Sequence, residues 1–270
     1  MGQTIACANQ KGGVGKTTTV INLGSYLALA GEQVLVVDLD PQGNATSGLG
    51  FDRGSIERSI YDGVVDGTQI TDLIVAGPLP GLDLVPSTIA LAGAELELAP
   101  VEGRERRLAR LLSEIVARYD YILVDCPPAL GLLTVNALTA ADTVLIPLQC
   151  EYYALEGLDQ LLATINLIRD HLNPGLAIEG VVLTMYDGRT NLSAGVAAEA
   201  RRHHGELVFE TVVPRSVRLS EAPSHGLPIS RYSPASTGAV AYAALAAEVR
   251  ARDGRTRTVI AEHREQVSVT

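Results

Sequence analysis

Seven short stretches of the chain are apolar almost throughout: Thr4 to Asn9, Gln33 to Asp40, Leu82 to Pro86, Tyr121 to Asp125, Thr143 to Cys150, Ile178 to Tyr186 and Leu207 to Val213. Their length and their Val, Ile and Leu content predict β-strands. Between them apolar residues recur every three or four positions. Leu108, Leu111, Leu112, Ile115, Val116 and Tyr119 form one such stripe, and Leu155, Leu158, Leu161, Leu162 and Ile165 form another. That period predicts helices. Strands without polar alternation, separated by helices, belong to a parallel sheet covered on both faces. The expected fold is therefore α/β, a mostly parallel twisted sheet of about seven or eight strands. Gly43 to Gly81, richer in Gly and Asp, resists assignment. From Asp253 the apolar stripe fades, so residues 1–252 are expected to form one domain and 253–270 a flexible tail.

Composition narrows this picture. Apolar residues make up 47% of the 270 positions and charged ones 19%, which excludes a disordered chain. The formal charge of -10 argues against a generic basic nucleic-acid binder, though not against a local patch. Aromatic residues are only 4%, too few for a base-stacking platform. Uncharged runs such as Cys126 to Ala141 reach 16 residues, short of a spanning helix, so no membrane segment is expected. No basic leader precedes an apolar core, and Cys7, Cys126 and Cys150 are too scattered for a disulfide framework or zinc site. The expectation is a cytoplasmic protein with reduced thiols. Lys11 and Lys16 are the two lysines in the sequence, set among 19 arginines.

Both lysines lie in NQKGGVGKTTT, between the first predicted strand and a helical pattern of Val20, Leu23 and Leu27. Glycines 12, 13 and 15 let backbone amides turn inward around an anion. Lys16 can reach β- and γ-phosphates, Thr17 can ligate Mg²⁺, and the helix N-terminus favours negative charge. Strand, glycine loop, Gly-Lys-Thr and helix thus follow in the order of a P-loop NTPase. One departure stands out: the pattern's first glycine is replaced by Gln10, followed by Lys11. Downstream, VLVVDLDPQGNAT ends a strand in Asp38 and Asp40, and YDYILVDCPPALG ends another in Asp125. Alternation turns Asp38 and Asp40 to one side of the sheet, at the strand ends where open α/β sheets bind ligands. An apolar strand closing on Asp125 downstream of a P-loop fits a Walker B carboxylate that holds Mg²⁺ through water.

The KGGVGKT loop, with its second lysine, resembles the ParA/MinD superfamily of deviant Walker A ATPases. ANQKGGVGKTTT, VDLDPQGNATSGLG, PLQCEYYALEGL, LTMYDGRT, VPRSVRLSEAPSHGLPI and SPASTGAVAYAALA narrow the resemblance to ParA/Soj-type chromosome or plasmid partition ATPases, over about residues 3 to 250. It implies that Lys11, Gly12, Gly13, Val14, Gly15, Lys16, Thr17 and Thr18 bind ATP. In this reading Lys11 reaches the nucleotide of the opposite subunit in an ATP-sandwich homodimer; the plainer alternative is a solvated loop lysine. The resemblance further assigns Asp40 to water activation, Asp38 to the Mg²⁺ outer shell, and Pro127, Pro128 and Gly131 to a switch segment. Pro214 and Ser216 fall where the family cradles adenine, with Ser216 in place of the commoner Asn.

Residues 187–235 hold six arginines and five carboxylates, a local +1 within a chain of charge -10. Arg189 and Arg218 occupy positions that contact DNA without sequence specificity in Soj-type relatives. Arg104, Arg106, Arg107 and Arg110 are expected to be simply exposed on a helix. The implied activity is a slow ATP hydrolase whose dimer binds nonspecific double-stranded DNA on the nucleoid and is released when a ParB-type partner stimulates hydrolysis. Two alternatives belong to other classes: a MinD-like membrane-cycling regulator, which needs a basic amphipathic carboxyl-terminal helix, and a P-loop metabolic enzyme such as an amidating synthetase.

Overall fold

The computed structural model describes residues 2–151 and 154–268; Tyr152 and Tyr153 of the PLQCEYYALEGL segment lie outside the described residues, as do the last two residues of the chain. The strands are β1 (Gln3–Cys7), β2 (Val34–Asp38), β3 (Val75–Ala76), β4 (Leu82–Val85), β5 (Tyr121–Asp125), β6 (Thr143–Gln149), β7 (Ala177–Tyr186) and β8 (Val208–Pro214). The helices are α1 (Lys16–Leu29), α2 (Asn44–Gly48), α3 (Ala94–Leu98), α4 (Arg107–Ser113), α5 (Leu132–Ala140), α6 (Ala154–His171), α7 (Asn191–His204), α8 (Val217–Glu221), α9 (Ile229–Tyr232) and α10 (Thr237–Ser268). The strands form one sheet in the order β3-β4-β2-β5-β1-β6-β7-β8. Every pairing is parallel except β3 with β4.

Each face of the sheet buries its own apolar layer. On one side Leu35, Val37, Ile122, Val124 and Ile146 pack beneath Leu108, Ala137 and Leu161 of the helices. On the other, Ile5, Val36, Leu123 and Leu145 meet Leu23 and Leu27 of α1 and Tyr242 and Leu245 of α10. This two-sided burial is why the strands read as apolar runs. β1 lies between β5 and β6, so the chain leaves the sheet's centre in both directions and a crevice opens at the strand ends. Cys7 pairs in register with Asp125, and Asp38 with the same Asp125. The loop after β1 therefore hangs directly over both aspartates.

Two sequence expectations need correction. The stripe from Leu108 to Tyr119 does not make one helix: α4 stops at Ser113, and a 3-10 turn covers Val116–Arg118. Leu108, Leu112, Ile115 and Tyr119 are all buried regardless, so the periodicity reported packing rather than helix length. Arg104, Arg106 and Arg107 are not merely solvated. Arg107 donates to the carbonyls of Val64 (2.7 Å) and Val65 (2.8 Å), Arg106 to Leu172 (2.7 Å), and Arg104 to Ala99. They tie off carbonyls of loops that lack ladder partners. The backbone of α10 is helical as far as Ser268.

Candidate functional site

The phosphate-loop geometry starts with two left-handed glycines, Gly13 (φ 75°) and Gly15 (φ 92°). Gly15 caps α1 in a conformation that a side chain would strain, and its carbonyl accepts from Thr19 N–H at 2.8 Å. Asn9 holds the loop from below: its Oδ1 accepts from Lys11 N–H (2.9 Å) and its Nδ2 donates to Pro147 O (2.7 Å). Thr184 holds it from the side, donating to Val14 O at 2.8 Å. Lys16 is buried, with its ammonium donating to the carbonyls of Asn9 (3.1 Å) and Lys11 (3.2 Å). Lys11 is half exposed and pairs with Glu151 at 2.6 Å.

Asp38, Asp40 and Asp125 converge beneath the loop, and all are buried. Asp38 accepts from Thr46 N–H and Thr46 Oγ1, both at 2.7 Å, and from Asp40 N–H at 3.3 Å. Burial nevertheless pushes its pKa up to about 6, against the pull of those bonds. Asp40 accepts from Gln42 N–H at 2.9 Å. Neither oxygen of Asp125 has a hydrogen-bond partner in normal geometry among the described residues. Burial, then Asp38, drives its pKa well above the carboxylate range, while Thr17 and Lys16 pull it back. Three carboxylates facing one ammonium leave an excess of negative charge in a desolvated place. A buried carboxylate with open lone pairs beside a threonine hydroxyl suits a hard dication such as Mg²⁺. Mg²⁺ keeps several of its waters and takes ligands from phosphates, so it needs few protein ligands.

A cavity of about 570 Å³ adjoins the loop, lined by Gly15 and Thr18 on one side and by Met185, Pro214, Ser216 and Tyr242 on others. Pro214 and Ser216 thus stand beside the phosphate loop. Met185 takes φ 49°, rare for a long side chain, at the irregular end of the β7–β8 pairing. Arg189 and Arg218 lie apart from the loop and exposed, and each is ion-paired: Arg189 to Asp187 (2.7 Å), Arg218 to Glu221 (2.9 Å). The Arg189 guanidinium holds Asp187 down to about 2. Asn9, Glu151 and Thr184 escaped the sequence reading. Glu151 carries no local pattern, and only the pairing of β6 with β7 brings it and Thr184 to the loop. Cys7, Cys126 and Cys150 are buried, and burial raises all three thiols, Cys150 to about 11.

This architecture defines a P-loop α/β nucleotide-binding protein. A family model described as an AAA domain matches residues 2–178. The chain is 58% identical over 251 residues to the sporulation initiation inhibitor protein Soj of Bacillus subtilis, covering 93% of this chain and 99% of the relative. It is 53% identical to the chromosome-partitioning ATPase Soj of Thermus thermophilus, over 92% of this chain and 95% of that one. Among solved structures, cobyrinic acid a,c-diamide synthase of Mycobacterium smegmatis with bound ADP and magnesium superposes with a TM-score of 0.82 at 38% identity, over 93% and 95% of the two chains. The cell division ATPase MinD of Pyrococcus furiosus gives 0.79 at 27% identity, over 93% and 99%. The chain belongs to the Soj/ParA family of chromosome-partitioning ATPases.

Proposed function

We propose that this protein is a DNA-partitioning ATPase switch: it binds ATP and Mg²⁺, dimerises around two nucleotides, holds nonspecific duplex DNA as the dimer, and lets go after hydrolysis. The observation that carries the reading is the buried Asp125, whose oxygens lack a hydrogen-bond partner in normal geometry among the described residues, set beneath a Gly-Lys-Thr loop that carries a second lysine. Thr17 would ligate Mg²⁺ directly, with Asp125 and Asp38 orienting its water shell. Mg²⁺ bound with ATP would offset the charge that develops on the phosphates. Lys16 exchanges its two carbonyl partners for phosphate oxygens, a stronger, charge-assisted contact. Asp40 positions the attacking water, and Lys11 leaves Glu151 to reach the partner subunit's nucleotide. Pro214 and Ser216 wall the base. Arg189 and Arg218 contact DNA phosphates, and a ParB-type partner accelerates hydrolysis. The protein would then work in the cytoplasm, on the nucleoid. Among the described residues no helix is long and apolar enough to cross a membrane.

The likeness to a solved amidating synthetase favours a second reading, a metabolic P-loop enzyme. Drawing ammonia from glutamine through a cysteine needs a thiolate, and all three thiols here are buried and shifted toward the neutral form. That chemistry disfavours it. Gel-filtration mass with and without ATP, each with and without duplex DNA, tests the proposal. The expected result is a dimer only with ATP and DNA retention only by that dimer. Lys16→Ala should abolish ATP binding, and Lys11→Ala should keep binding but lose the dimer. A monomer under every condition would overturn the reading.

A further inference from the structure

α1 carries polar residues where a core helix ordinarily carries apolar ones. Thr19, Asn22 and Ser25 stand three apart on one face and are 0%, 4% and 0% exposed. Each finds its partner in the carboxyl-terminal part of the chain. Thr19 Oγ1 shares a hydrogen bond with Tyr242 Oη (3.1 Å), and Ser25 Oγ with Ser230 Oγ (2.5 Å). Asn22 Oδ1 accepts from the backbone N–H of Ile229 at 2.7 Å. Buried polar groups lose heavily when parted, so α1 and α9 must move together or leave donors and acceptors stranded.

The seam has two ends. At the phosphate-loop end, Asn22 Nδ2 donates to Thr18 O (2.8 Å), and Thr18 and Tyr242 both line the cavity. At the other end, α9 carries exposed Arg231 and closes with Tyr232, whose hydroxyl donates to Glu221 Oε2 at 3.1 Å. Glu221 Oε2 is the same atom that pairs with Arg218. An unbroken series of contacts thus runs from the cavity wall through Thr18, Asn22, Ile229, Tyr232 and Glu221 to Arg218. We propose that this polar seam is a linkage by which occupancy of the nucleotide cavity positions α9 and, through the hold of Tyr232 on Glu221, frees or retains Arg218, with Asn22 as its central positioning residue. Its last step rests on the DNA-binding reading above; its earlier steps do not.

Amide hydrogen exchange at residues 229–232, none of which lines the cavity, reads the first part without DNA. In the wild type, adding Mg²⁺ and ATP should change exchange there by about tenfold, the scale of one buried hydrogen bond. Asn22→Ala should bind ATP within about threefold of wild type yet lose most of that response, and its ATP form should retain duplex about tenfold less well. Asn22→Asp, which keeps an acceptor for the Ile229 N–H, should recover the exchange response. Tyr232→Phe removes one hydroxyl from a partly buried ring, so folding is secure even if Asn22→Ala proves unstable. It should keep the exchange response and narrow the ATP-to-ADP difference in duplex retention. Exchange at 229–232 that ignores ATP in the wild type, or that responds in Asn22→Ala as in the wild type, overturns the linkage. An unchanged ATP-to-ADP difference in Tyr232→Phe overturns its outer half. A wild type whose 229–232 responds through Asn22 but which never retains duplex leaves the linkage standing and overturns the DNA reading.

Discussion

Asp125 is fully buried, and neither of its oxygens has a hydrogen-bond partner in normal geometry among the described residues. A carboxylate so placed is a cost to the ligand-free fold, because ionising it there is harder than in the unfolded chain. An acid with a raised folded pKa contributes stability that is complete below the unfolded value, about 4, and is lost as pH rises through the folded one. Asp38, raised to about 6, acts in the same direction over the window from about 4 to 6. Asp125→Asn removes one such charge and keeps the shape of the side chain. The ligand-free variant should melt higher than wild type at neutral pH, by about 2–4 °C for each kcal/mol regained. The gap should narrow as pH falls toward 4. With Mg²⁺ and ATP the order should reverse, since the wild-type carboxylate then meets a cation. Melting curves across pH, with and without Mg²⁺ and ATP, test both signs. A variant no more stable than wild type at neutral pH would mean that Asp125 is already compensated. Lys11 illustrates the opposite balance. Its 2.6 Å pair with Glu151 is about half exposed on both sides, and such pairs are worth only about 1 kcal/mol or less. Glu151 therefore poses no barrier to Lys11 acting elsewhere.

At the scale of elements, apolar runs named the seven main strands because parallel strands covered on both faces have no polar side to interrupt them. The eighth, β3, is only Val75–Ala76 and pairs antiparallel at the edge, too short for any periodicity to reveal. The phosphate loop and its three aspartates were legible because each is fixed by local order along the chain. Glu151, Thr184 and the seam on α1 were not, since their meaning depends on partners from 140 to 223 residues away. One contact explains why two distant motifs accompany each other. Gly50, closing SGLG, and Gly226, within SHGLP, press backbone to backbone: a Cβ on Gly226 would lie 2.6 Å from the Cα of Gly50, and one on Gly50 would lie 2.9 Å from the carbonyl oxygen of Gly226. Both take positive φ, 91° and 64°. Gly226→Ala should therefore separate the loop after α2 from the segment before α9. The expected cost is about 1–3 kcal/mol, from left-handed strain plus overpacking. Urea unfolding of the variant checks it. A midpoint shift near zero would mean that the two loops part freely.

Over the whole molecule, charge sets the terms of the proposed DNA binding. Each chain carries -10, so a dimer carries twice that, -20, and duplex DNA repels it at long range. Attraction must come from a concentrated patch felt within a Debye length, about 8 Å at physiological salt. Arg189 and Arg218 are exposed enough to supply it, yet each already faces a carboxylate, Asp187 or Glu221. Those pairs are solvent-screened and weak, so phosphates can displace them. Two arginines per chain, doubled in the proposed dimer, would give about four phosphate contacts, and log affinity should fall with log salt at a slope near -3.6. Affinity should be nearly indifferent to sequence, because phosphate contacts carry no base information. Glu221→Gln removes the competitor of Arg218 and should strengthen binding by up to about fivefold, the range of an exposed ion pair. Arg189→Glu combined with Arg218→Glu should abolish duplex retention while ATP binding and dimer mass stay intact, since neither side chain lies at the phosphate loop. Duplex retention measured beside dimer mass on both variants decides the matter. Retention by the double variant would move the patch to Arg201, Arg202 and Arg231. Loss of the dimer would place Arg189 and Arg218 in the subunit interface instead.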